Sequence, residues 1–296
     1  MRLLLFCIVT IITATTQAQD NTIFERLSAL NNGMGSFYNL DGYTISSQTF
    51  NYPFTEKGLK KVYRKYKIKK DEIKIADETF SFKNFYVTKD ERINDSLSQN
   101  NAYYFIENKY ERITVIQFSA INKRDKVLER QLMTSIVERS IPPENYQSQA
   151  ADSINFAGRK IELGGVCQWM QINSVQCPGY GQINWSVHKE LKSAQEAIAN
   201  QLAVTLSQKN GKVISEEPVN IIFEGTETVA KKVIYDFTGV TSLLASMSGG
   251  KTLTIFYVAA PVRGNYVSCV LSYWNNDTLS ETGLAPLLDE VMVVKK

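Results

Sequence analysis

The chain has 296 residues, with 33 basic and 30 acidic side chains, one histidine and four cysteines. At 44% hydrophobic and 21% charged, with 16 Gly and 7 Pro, its composition is globular, which excludes the disordered and fibrous classes. The single histidine excludes multi-histidine zinc sites and HExxH metalloproteases.

Arg2 precedes an apolar run from Leu3 to Ile12 and a small polar stretch ending Thr16-Gln17-Ala18. That is the order of a secretory signal peptide, and the run is too short to span a bilayer as a helix. Residues 1–18 are expected to be removed and the protein exported, periplasmic or secreted. No later stretch reaches the roughly 18 consecutive apolar residues of a membrane helix, so no transmembrane segment is expected. Cleavage takes Arg2 and Cys7 with it and leaves a formal charge of +2 and three cysteines.

From Lys57 to Lys70, Leu59, Val62, Tyr63 and Tyr66 recur at helical spacing while lysines and arginine fill the other faces. Between Lys57 and Lys74 nine Lys/Arg stand against two acids, a local charge of +7 on an otherwise acidic chain. Lys60, Lys61, Arg64 and Lys65 are therefore candidate binding residues for an anionic partner; the competing reading is a solvated helix face docked by its apolar stripe. Strand-like stretches follow at Glu72–Ala76, Phe80–Val87, Tyr103–Glu107 and Arg112–Ala120. A helix is expected over Asp125–Arg139, with Leu128, Leu132 and Ile136 on one side, until Pro142-Pro143 stop it.

The second half repeats helix, strands, helix. A strand at Ile154–Leu163 and a hairpin at Val166–Trp185 lead to a helix from about His188 to Lys209, closed by Asn210-Gly211. Strands are expected at Lys212–Ser215, Val219–Phe223, Ala230–Phe237, Thr252–Val258 and Tyr266–Trp274, then a short helix over Leu284–Met292. The fold class expected is α+β: two tandem units of antiparallel sheet with helices on one face, residues 19–145 and 146–296. The repeated order reads either as a diverged duplication or as an order that any α+β chain of this size can show.

Pro218 to Phe237, Thr252–Val258, Tyr266–Tyr273 and the closing helix together resemble the Mog1/PsbP-like α/β/α sandwich over about residues 186–296. The resemblance lies in strand order. It implies a non-enzymatic accessory or binding role and carries no catalytic constellation.

Cys167 and Cys177 bracket a turn near Asn173-Ser174 that would set their sulfurs opposite each other, so a disulfide is expected in an exported chain. Cys269 alternates with Val267, Leu271 and Tyr273 and reads as a buried thiol. His188 reads as exposed or capping at a helix start. Ala245 to Thr252 matches a relaxed phosphate-loop pattern, but a strand follows it where the mechanism needs a helix. Tyr180 in a tight Pro-Gly turn, with Trp169 and Trp185 nearby, is either an aromatic binding surface or cross-strand packing.

The function expected is that of an exported bacterial envelope protein acting as a non-enzymatic binding or assembly module, without metal or cofactor. Its partner would be an anionic envelope component or another envelope protein, and nucleic acid is not expected. The alternative is a hydrolase acting on an envelope polymer through carboxylates or a lone cysteine.

Overall fold

The computed structural model describes residues 23–208, 211–238 and 250–295. The expected signal peptide lies outside these residues, as does the phosphate-loop-like stretch before Gly250.

The first half opens with a three-strand meander: β1 (Ser28–Asn31), β2 (Ser36–Leu40) and β3 (Tyr43–Pro53). Helix α1 (Glu56–Lys65) then crosses to the far edge. There β4 (Asn84–Arg92), β5 (Ser98–Glu107) and β6 (Arg112–Ile121) meander back, and helix α2 (Lys126–Glu138) closes the unit. The spatial order is β1-β2-β3-β6-β5-β4, antiparallel throughout.

Side chains alternate along β5 and β6. Tyr104, Ile106, Ile116 and Phe118 pack with Leu132 and Met133 of α2, whereas Tyr103, Phe105, Ile113 and Val115 pack with Val62 of α1. A strand apolar on both faces, as Ala102 to Ile106 is, requires cover on both. The expectation of helices on one face is therefore corrected: α1 and α2 sandwich the sheet.

The second half begins with a separate hairpin, β7 (Ser153–Phe156) and β8 (Arg159–Glu162). A second meander follows: β9 (Gln168–Gln171), β10 (Ser174–Cys177) and β11 (Gly181–His188). Helix α3 (Leu191–Ser207) crosses over. Strands β12 (Gly211–Phe223), β13 (Thr226–Phe237), β14 (Thr252–Val262) and β15 (Asn265–Trp274) return, followed by α4 (Pro286–Asp289) and β16 (Met292–Val294). The order is β16-β12-β13-β14-β15-β11-β10-β9.

This sheet is also covered twice. Ile198 and Leu202 of α3 pack on Val233, Tyr235, Ile255 and Tyr257. The other face packs Trp185, Phe223, Phe256 and Leu271 against the β7–β8 hairpin and Leu287 and Leu288 of α4. Glu224, in the β12–β13 turn, is gripped by Arg159 at 2.6 Å and by Arg263, which ties that hairpin down. The closing helix is shorter than expected and hands over to β16.

Several local expectations are corrected. Helix α1 stops at Lys65 rather than Lys70, because Lys67 takes a left-handed φ of 51° and Ile68 turns back to bond Tyr63 O. Glu72–Ala76 forms no strand; it meets β4 through an isolated bridge from Ile75 to Tyr86 and an ion pair from Glu72 to Lys89. Pro218 does not divide β12, because β16 pairs only with Ile221–Phe223 and leaves the outer edge at Pro218 without need of an N–H.

The two halves meet through the β2–β3 turn. Asp41-Gly42 has positive φ at both positions, the turn geometry that suits twisted antiparallel strands. Asp41 donates its N–H to Val187 O at 3.1 Å, and its carboxylate accepts from Lys189 N at 2.9 Å and from Arg26 at 2.9 and 3.0 Å. A Cβ at position 42 would stand 3.1 Å from the His188 ring, so Gly42 admits the close approach. Gln147 N bonds Ala29 O at 2.7 Å and adds a second junction.

Candidate functional site

Thr55 caps α1 by accepting from Gly58 N, Glu56 sits in the first turn, and Arg64 and Lys65 sit in the last, each charge matched to the helix dipole. Val62, Leu59, Tyr63 and Tyr66 turn inward onto the aromatic face of the first sheet, where Tyr63 lies 5.2 Å from Phe105. A Cβ at Gly58 would lie 2.1 Å from Pro53 O, so glycine lets the helix approach the end of β3. Seated this way, α1 points Lys60, Lys61, Arg64 and Lys65 to solvent.

Of the nine cations between Lys57 and Lys74, Lys60 alone has an acid within ion-pair distance among the described residues, Glu56 at 3.0 Å. Lys60 holds the Glu56 carboxyl below its ordinary range. Of the two acids in the same stretch, Glu72 pairs outward with Lys89 at 3.1 Å. The ammonium of Lys61 lies 4.6 Å from the Tyr52 ring and that of Lys65 lies 5.3 Å from Phe50, so the cations spread over an aromatic underlayer. Lys74 reaches over Tyr63 at 5.5 Å and lays the 69–75 loop beside the helix. That loop carries Ile73, which is 78% exposed, and Ile75, also exposed. Cations without an acidic partner thus lie beside exposed Tyr52 along α1 and in the loop that carries exposed Ile73.

The aromatic candidates differ in burial, and among the described residues only Trp169 and Trp185 are neighbours, with ring centroids 6.3 Å apart. Trp185 is 2% exposed and packs against Phe156, so it belongs to the core, and its place on a binding surface is corrected. Trp169 is half-buried on edge strand β9 and donates its indole N–H to Ser148 O at 2.8 Å. Tyr180 is exposed on the β10–β11 turn, with no ring contact to either tryptophan among the described residues. Cys167 and Cys177 form the expected disulfide, pinning the start of β9 to β10.

Several groups that a hydrolase could use are engaged elsewhere. Glu129 is fully buried, accepts from Tyr104 Oη at 2.6 Å and pairs with Arg124 at 3.0 Å. Asp77 is held by Arg130 at 2.8 Å. Cys269 is buried in the second core, where burial pushes its thiol pKa up. His188 is not at an exposed helix start: it ends β11, fully buried, with Nε2 2.9 Å from Ser268 Oγ and Nδ1 without a partner. Burial, then Lys123, lowers its pKa to about 4. His188 and Cys269 occupy opposite faces of their sheet, since β11 pairs Trp185, not His188, with Cys269. Among the described residues, no cluster of three metal-ligating side chains occurs, and no helix is long and apolar enough to cross a membrane.

What sequence reading missed is the first meander, β1 to β3. Its residues mix Ser, Asn and Thr with aromatics, so the aliphatic alternation is weak; Asp41-Gly42 was the available hairpin signal.

No protein-family model and no curated protein matches the chain. The solved structures that align with it include two from a biosynthetic pathway and a biosynthetic locus. The di-domain ARO/CYC StfQ from the steffimycin biosynthetic pathway has 10% identity and a TM-score of 0.17, over 93% of this chain and 82% of that one. DynU16, a putative protein in the dynemicin biosynthetic locus, has 9% identity and a TM-score of 0.18, over 89% of this chain and 82% of that one. At those TM-scores neither bears on fold or function.

Proposed function

We propose that this chain is an exported, non-enzymatic binding module of the bacterial envelope that docks on anionic lipid surfaces through α1 and the loop after it. The observation that carries the reading is the cluster of uncompensated cations around exposed Ile73 and Tyr52. Basic residues attract an anionic surface over about a Debye length, and exposed apolar side chains then enter the interface. The disulfide and the absence of a membrane-length helix among the described residues are compatible with export.

The two halves, residues 19–145 and 146–296, are read as tandem units arising by duplication. Each runs three-strand meander, crossover helix, returning meander and closing helix, and in each the last meander strand pairs with the strand before the crossover. β12, β16 and the β7–β8 hairpin are the second unit's additions. The Mog1/PsbP-like resemblance of residues 186–296 agrees with an accessory binding role.

Co-sedimentation tests the docking. The mature chain should pellet with phosphatidylglycerol vesicles and not with phosphatidylcholine vesicles, with about tenfold or greater loss of affinity on raising salt from roughly 0.05 to 0.5 M. Equal partition into both vesicle types would reject the reading.

A further inference from the structure

We propose that the cleft where the two sheets meet binds a neutral oligosaccharide, its hydroxyls on the amides of the polar arm and a sugar face on Trp169. The cleft has two arms that share Thr44, Gln171 and Ile172, one of about 510 Å³ and one of about 580 Å³.

The polar arm follows from strand alternation. Tyr38 and Leu40 of β2 face α2, so Asn39 faces the other way. Ile183, Trp185 and Val187 of β11 enter the second core, so Asn184 and Ser186 face the side bearing α3. With Asn200 and Gln201 of α3 they line the arm. Amides present a donor and an acceptor side by side, which suits vicinal hydroxyls. Asn39 is 94% buried by its 6% exposure, and its Oδ1 has no hydrogen-bond partner. An unpaired buried acceptor is unfavourable, and because Oδ1 is enclosed, Asn39 would pair it by turning its amide toward a ligand hydroxyl in the arm.

Lys123, the cation in this arm, already donates to Asp41 O, and burial lowers its pKa, so it is not positioned to recruit an anion. β2, β3 and β11 are each paired on both sides and offer the arm side chains alone; β9 brings the free edge of the second sheet beside the cleft, so a peptide added along that edge is the competing occupant that the test below separates.

The second arm is lined by Leu30, Phe37, Trp169 and Ile172. Ser148 O occupies the indole N–H and Trp185 lies 6.3 Å away on the core side, so Trp169 offers the part of its apolar surface that lines the arm, and a sugar presents the matching C–H face. The Cys167–Cys177 bond fixes β9 and therefore Trp169 before a ligand arrives.

The test is calorimetry and tryptophan fluorescence of the mature protein with chitohexaose, maltohexaose and xylohexaose, each to about 10 mM, a range that reaches weak sites. At least one should bind, and Trp169→Ala and Asn39→Leu should each weaken it about tenfold or more. Asn39→Leu fills the same space without the unpaired acceptor, so a normal melting curve separates lost recognition from lost fold. Charge reversal of Lys60, Lys61, Arg64 and Lys65 should leave saccharide binding unchanged, which keeps this test independent of the lipid-docking reading. No binding of any of the three, binding unaffected by Trp169→Ala, or displacement of the sugar by a neutral peptide of glycine, serine and leucine would overturn the proposal.

Discussion

The two sheets carry crossover helices in the same topological slot and use them in opposite ways. In the first unit α1 is ten residues long, strongly basic, and meets its sheet through aromatic rings while its other face stays open. In the second, α3 has 17 residues, one lysine paired at 3.9 Å to one glutamate, and a flank that helps to wall the inter-sheet cleft. The slot fixes where a helix lies, and its surface residues decide whether it presents charge or builds a cavity. The closing helices differ as well: α2 is anchored by the Glu129, Arg124 and Tyr104 group, and α4 by Leu287 and Leu288 in the core with Leu287 N bonded to Tyr180 O at 3.1 Å.

The largest expected break falls in the second core. Trp185→Ala should cost about 3–5 kcal/mol of unfolding free energy in denaturant titration, whereas Trp169→Ala should cost under about 1 kcal/mol. Equal costs would place both rings in one role.

In the first unit, Glu129→Ala leaves Arg124 and the Tyr104 hydroxyl without their acceptor. The loss should be about 3 kcal/mol, read by the same titration. If α2 were held by apolar contacts alone, the change would fall below about 1 kcal/mol.

The disulfide belongs to the second unit. Reduction removes a short-loop constraint worth about 2–3 kcal/mol, and hydrogen exchange should show the loss in β9 and β10 rather than in β1 to β6.

How much of this was legible follows the periodicity. Asp125–Arg139 and Arg112–Ala120 are read within a residue or so of their ends because a helical stripe and a β-rich run leave one interpretation. Trp185 and His188 could not be sorted from sequence. Whether a residue at a strand end is buried depends on a turn 147 positions earlier, Asp41, docking against it. The basic helix was legible because charge density survives without tertiary knowledge. The cleft was not, since its walls come from β2, β9, β11 and α3, brought together only by the docked turn.

His188 gives a smaller effect that reports on the junction between the units. Unfolded, it binds a proton below its ordinary pKa of 6.5; folded, it stays neutral down to about 4. Stability should therefore fall as pH drops through that window, by at most about 1.4 kcal/mol per pH unit from this group. His188→Gln should remove that part of the slope, measured as the difference between wild-type and variant melting curves from pH 6.5 to 4. Identical slopes would mean the ring is protonated in the folded junction.

The most direct measurement concerns the helix that distinguishes the first unit. A variant with Lys60, Lys61, Arg64 and Lys65 all changed to Glu should stay folded with a loss of about 1–3 kcal/mol, since the four side chains face solvent but acids in the last turn oppose the helix dipole and an acid at position 60 would repel Glu56. Its partition onto phosphatidylglycerol vesicles should fall by about a hundredfold or more. Undiminished partition by this folded variant would contradict the assignment of α1 as the docking surface.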